Sequence, residues 1–175
     1  MSLRISRQHW VEAAGVLATA TRFFVRHYPI VLVFGAVASL QRFLAVGGDD
    51  RFAFAGGLAG ELVTAAVRVL FLVWLVRRMF AGDDIGWSQV GHRLGRFGRT
   101  RTGAVLATAV MLVGLTIVAK VIPDAVAATL PESERATYLS WELAIKNVTV
   151  IPFTMVWLTA LSRHAVRRGA PVTTR

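Results

Sequence analysis

Residues 103–122 read GAVLATAVMLVGLTIVAKVI, with a single charge, Lys120, close to the end and Pro123 directly after it. Wound as a helix, the stretch rises about 30 Å, the thickness of a bilayer's hydrocarbon core. Apolar side chains occupy every face, so no side of such a helix suits water. The stretch predicts a transmembrane helix closed by Pro123, and its flanks extend that expectation to the rest of the chain.

Upstream, residues 54–80 include GGLAGELVTAAVRVLFLVWLVRRMF, long enough to cross with tilt despite Glu61 and Arg68. Residues 29–46 (PIVLVFGAVASLQRFLAV) make a shorter candidate. Pro29 stands in its first turn, where a missing N–H is harmless, and Gln41 and Arg42 lie near its end. Downstream, a fourth candidate begins after Pro131, covers residues 136–162, and carries Glu142, Lys146, Asn147 and Pro152. The expected fold is an all-α integral membrane protein, a single membrane domain over residues 1–175 with four transmembrane helices.

Composition points the same way. Hydrophobic residues make up 55% of the 175 and charged residues 17%, against about 45–50% and about 25% in soluble domains. Eighteen arginines and two lysines face ten acidic residues, for a net charge of +10. In a soluble protein that excess suggests nucleic acid; in a polytopic one it marks cytoplasmic loops. With four crossings, one side holds fourteen cations: Arg4, Arg7, Arg22 and Arg26, then Arg77, Arg78, Arg93, Arg96, Arg99 and Arg101, then Arg163, Arg167, Arg168 and Arg175. The other side holds Arg51 and Arg135 beside Asp49, Asp50, Asp124, Glu132 and Glu134. The asymmetry predicts a cytoplasmic membrane location with both termini inside. The Arg, Ala, Val and Gly bias is that of a GC-rich, actinobacterial-like bacterial source. Cysteine is absent, and the four histidines, His9, His27, His92 and His164, are scattered among cations, so neither thiol chemistry nor a metal site is expected.

Two basic segments have the pattern of amphipathic helices lying in the cytoplasmic interface. Residues 8–27 set Trp10, Ala14, Leu17 and Phe24 on one side and end in Arg22, Arg26 and His27. Residues 84–101, within the loop 81–102, set Ile85, Trp87, Val90, Leu94 and Phe97 among arginines. Asp83 or Asp84 is placed to cap the second of these helices. Each half of the chain thus runs basic segment, span, short acidic loop, span, arginine cluster. That order fits a duplicated hairpin, although any two hairpins with positive-inside loops look alike in this way.

Ionisable residues within spans are the candidate functional groups, because charge near the bilayer centre is costly. Arg42 and Lys120 lie near outer ends and can snorkel. Arg42 is expected to face Glu61, and Lys120 to face Glu142, as pairs fixing hairpin register; Lys146 is a further charge within the fourth span. Arg68 lies near the midplane, about 10 Å along the helix from Glu61. Its candidate partners are Asn147, the hydroxyls of Thr108, Thr116, Thr149 and Thr154, and carbonyls near Pro152. Arg68 either lines a vestibule for an anionic or polar ligand, or is satisfied by helix–helix hydrogen bonds or a partner's carboxylate. The spacings Gly35-x-x-x-Ser39 and Gly56-x-x-x-Gly60 offer narrow faces for close helix approach, within the chain or to a partner. The Gly/Arg run that holds Arg93, Arg96, Arg99 and Arg101 suits anionic lipid headgroups better than RNA, since only Trp87 and Phe97 interleave it. No nucleic-acid partner is expected.

The stretch Arg22-Phe23-Phe24 through Tyr28-Pro29-Ile30, leading from a basic segment into a span, resembles the start of the YciC-like membrane proteins and of the membrane domain attached to some glycerophosphodiester phosphodiesterases. Residues 86–101 are similar to the basic segment between their spans. Residues 42–48, Arg-Phe-Leu-Ala-Val-Gly-Gly, are similar to the opening of GtrA-type four-span proteins associated with lipid-linked sugars, although here the run ends a span. Neither resemblance carries over a catalytic residue. The chain has no serine nucleophile elbow, zinc-binding histidine pair or Gly-rich phosphate loop. The expectation is a non-enzymatic accessory or scaffolding subunit without cofactor, bound to anionic lipid and to another membrane protein or itself. The alternative is a small homo-oligomeric transporter or lipid-handling protein using Arg68, Glu61 and Asn147.

Overall fold

The computed structural model describes residues 6–46, 51, 53–83 and 86–169. The readings made above for Arg4, Asp49, Asp50, Asp84, Ile85 and Arg175 lie outside the described residues. Among those described, the secondary structure is helical throughout: α1 (Arg7–Arg26), α2 (Tyr28–Val46), α3 (Ala53–Gly56), α4 (Leu58–Met79), α5 (Trp87–Thr100), α6 (Thr102–Thr116), a π-helical turn (Ile117–Val121), α7 (Ile122–Thr129), α8 (Glu132–Val148) and α9 (Val150–Arg168). Four helices are long and apolar enough to cross a membrane, Tyr28–Ala45, Leu58–Met79, Thr102–Thr129 and Glu132–Arg168.

Three prolines shape these helices by one mechanism. A proline ring inside a helix clashes with the carbonyl four residues upstream and leaves it without a donor. For Pro29 that carbonyl belongs to Val25, and the chain turns at His27 between α1 and α2. For Pro152 it belongs to Val148, the last residue of α8, and the helix breaks at Thr149 (φ −124°, ψ −76°). For Pro123 it belongs to Ala119, inside the π turn, where the Ile122 N–H reaches back to the Ile117 carbonyl. The extra residue in that turn makes room for the ring. Pro123 therefore does not close the third span, contrary to the expectation from sequence, and the helix continues to Thr129.

Residue pairs give the directions. Along α1–α2 and back along α8–α9, Glu12 meets His164, Phe24 meets Phe153, Ser39 meets Ala144 and Phe43 meets Trp141. These two long helices are thus antiparallel. The descent of α4 along α2 sets Glu61 beside Arg42, Phe71 beside Phe34 and Trp74 beside His27. Helix α6 starts against α1, with Gly103 pressed on the His9 ring. The continuous core is Val16, Ala20, Val31, Phe71, Leu75, Met79, Val156, Trp157 and Ala160.

Helix α1 belongs to this bundle. Its buried residues are Ala13, Val16 and Ala20, one position round from the side expected at sequence level, and Trp10 and Ala14 are exposed. The difference arises because α1 packs against α9 and α6, so protein covers its small residues and its larger ones ride the rim. Of the described residues expected on the apolar side of α5 (Trp87, Val90, Leu94 and Phe97), only Phe97 is buried, against Ala104 and Ala165.

The small-residue motifs are consumed inside the chain. A Cβ on Gly35 would lie 2.6 Å from the Asn147 carbonyl oxygen and 2.8 Å from the Val148 Cα. Ser39 Oγ donates to the Ala144 carbonyl at 2.8 Å. Gly60 is closed by the Ala55 backbone, and buried Gln41 ties that corner together, donating to the Ala55 carbonyl and accepting from Thr64 Oγ1 at 3.1 Å.

Candidate functional site

Polar chemistry gathers at three levels along the bundle. At the end where α2 meets α4, Arg42 pairs with Glu61 at 2.9 Å, as the short connection between their helices predicts. The second expected pair does not form. Lys120 pairs with Asp124 at 2.8 Å and Lys146 pairs with Glu142, each at i,i+4 on one helix. Arg135 donates to the Ala127 and Leu130 carbonyls.

Midway lies Arg68. Its Nη2 donates to Asn147 Oδ1 at 3.3 Å, and its Nε is buried without a hydrogen-bond partner. The threonines named as candidates turn to their own helices: Thr108, Thr116, Thr149 and Thr154 each donate to a carbonyl four residues back, and the side chain that accepts from Arg68 is Asn147. Beside Arg68 is a void of about 20 Å³ walled by Phe34, Gly35, Phe71, Pro152 and Met155. That is room for about one water, which Nε could bond. Of the two readings of Arg68, the packing favours a side chain satisfied between helices. Replacing Asn147 by leucine should therefore leave a stranded guanidinium and cost about 2–4 kcal/mol, whereas Arg68→Met with Asn147→Leu should recover most of the loss. Thermal unfolding of the two variants in detergent distinguishes this from a ligand site, where the double variant stays as impaired as the single.

The third level is the end formed by α1, α5 and the C-terminal half of α9. Gly82 adopts φ 81°, a left-handed turn open to glycine at little cost, and the chain then presents Asp83 to α9. Arg163 Nε donates to Asp83 Oδ2 at 2.8 Å and Arg167 Nε to Oδ1 at 3.0 Å. The Asp83 side chain is 7% exposed. Hydrogen bonds from Arg163 and then Arg167 hold its carboxyl below the ordinary aspartate range, against the opposing effect of burial. Asp83 is thus a clasp to α9, whereas the residue at the α5 cap is Gly86. Alongside, Glu12 accepts from His164 Nε2 at 2.9 Å, lies 3.7 Å from Arg101, and His164 stands edge-on to Phe97. Sequence reading missed both acids as organising residues. Their partners are 152 and 80 positions away, and the one available signal was that they are rare acids within basic segments.

Two open grooves result. One, about 790 Å³, runs between α1 and α9 past Arg7, Val11, Glu12, Arg101 and Arg168. The other, about 570 Å³, is lined by His92, Arg93, Arg96, Arg99 and Gly169. The arginines expected to bind lipid together are therefore divided, Arg101 on one groove and Arg93, Arg96 and Arg99 on the other. No His/Cys/Asp/Glu group suited to a metal ion occurs among the described residues. No protein-family model, curated protein or solved structure matches the chain.

Proposed function

We propose that this chain is a non-enzymatic four-span protein of the bacterial cytoplasmic membrane, both termini inside, acting as an accessory or scaffolding subunit of a larger membrane assembly. The basic end of the bundle faces the cytoplasm and its anionic lipid headgroups, following the positive-inside rule. From Trp141 to His164 the helical path rises about 35 Å, which fits a hydrocarbon core between the two polar ends.

The observation that carries the accessory role is the size of the space beside the deepest charge. A void of about 20 Å³ at Arg68 offers no path for a solute. With the Gly35 and Gly60 faces filled by this chain's own backbone, a surface open to a partner helix is the outward side of α6 and the π turn. There Val110, Val113, Ile117, Val118 and Val121 are exposed, and nothing stands within 4 Å of a Cβ built on Gly114. Close approach at such a residue suits helix–helix association in lipid.

Purification in mild detergent tests this reading. The expected result is stoichiometric copurification of a different polypeptide, lost in Gly114→Leu while the chain itself stays folded. A lone homo-oligomer that moves solute in liposomes and is disabled by Arg68→Ala would establish the transporter alternative instead.

A further inference from the structure

The groove between α1 and α9 has a composition that the accessory role does not use. Arg7, Val11, Gly15 and Thr19 recur every fourth residue along α1 and form one wall; Ala160, Arg163, Arg167 and Arg168 on α9 form the other. Within the groove Glu12 holds His164, and at the edge Asp83 holds Arg163 and Arg167. These two acids fix the orientation of the inner side chains. Arg7 and Arg168, one on each wall, are exposed and bonded to no other described residue. The lining counts five arginines against one carboxylate. On the α1 wall Val11 is exposed and adds apolar surface among these charges, while Val16 and Ala160 close the floor from within the core.

We propose that this groove is a binding site for an anionic phospholipid bearing two phosphate charges. Its phosphates sit between Arg7 and Arg168, and the start of an acyl chain lies against Val11. Charge complementarity selects the headgroup, since basic clefts between helices on the cytoplasmic side recognise multiply charged lipids. The volume of about 790 Å³ exceeds what a single phosphate fills and admits part of a chain as well. The site rests on the membrane orientation proposed above and adds a ligand of defined chemistry to it.

The test uses the full chain in nanodiscs of phosphatidylcholine doped with either diphosphatidylglycerol or phosphatidylglycerol at equal total charge, with retained lipid counted by native mass spectrometry. Diphosphatidylglycerol should be retained preferentially. Arg7→Gln and Arg168→Gln should each weaken retention about fivefold, equivalent to ~1 kcal/mol per basic residue. Neither residue has a described partner to lose, so folding is unaffected. Arg96→Gln with Arg99→Gln, on the other groove, should leave the preference intact. Equal retention of both lipids, or retention insensitive to Arg7 and Arg168, overturns the site. So does a polyglutamate peptide that binds with the same arginine dependence while the lipid does not. Failure of the chain to enter the discs overturns the membrane reading and the site together; entry without selective retention overturns the site alone.

Discussion

Gly35→Leu is expected to destabilise the chain by about 3 kcal/mol, the upper end of the cost of overpacking. The atoms that a side chain would meet, the Asn147 carbonyl and the Val148 Cα, are backbone and cannot rotate away. Helices α2 and α8 must therefore separate, which breaks the hydrogen bond from Ser39 to Ala144 and moves Asn147 away from Arg68. Gly114→Leu is the matched control. It adds the same side chain at an open position, so its effect on the isolated chain should stay within about 0.5 kcal/mol. Equal melting temperatures for the two variants in detergent would contradict the packing of α2 on α8.

The second large effect lies at the end formed by α1, α5 and the C-terminal half of α9. Asp83→Asn should cost about 2–3 kcal/mol, less than a fully buried pair, because Arg163 and Arg167 remain 29% and 52% exposed and are partly screened by water. The effect should depend on pH with a definite sign. The carboxyl's folded value is lowered by its arginines, so its stabilisation is fully present above the unfolded value of about 3.9. It is lost as pH falls through the lower folded value. Melting curves of the two proteins should therefore differ at neutral pH and converge in strong acid. A gap that persists unchanged in acid would show that Asp83 acts through packing.

Much of the architecture was legible because its causes are local. Uninterrupted apolar length located all four long helices, and the short connection between the first two brought Arg42 to Glu61. Asn147 stood among several partners that the sequence offered Arg68, and the structure brings those two together. The misses share a cause too. Pro123 was read as a terminator because sequence shows the clash a proline creates but not the π turn that absorbs it. Helix α1 was read with Trp10 and Ala14 on its covered side, yet Ala13, Val16 and Ala20 are covered instead, because an amphipathic pattern does not record that α9 and α6 are what packs against it. Lys120 and Glu142 were paired by symmetry with Arg42 and Glu61, yet each had an opposite charge one turn away on its own helix. The Asp83 and Glu12 contacts join segments far apart in sequence, and no periodicity encodes them.

Threading through the membrane is the central claim, and the absence of cysteine allows it to be read one position at a time. Single cysteines at Gln89, Val113 and Ser133, all exposed in the fold, can be challenged with a membrane-impermeant maleimide before and after permeabilisation of intact cells. Ser133→Cys should react in intact cells, Gln89→Cys only after permeabilisation, and Val113→Cys in neither. Labelling of Gln89→Cys in intact cells would reverse the orientation, and ready labelling of Val113→Cys would place the third long helix in water and contradict the account.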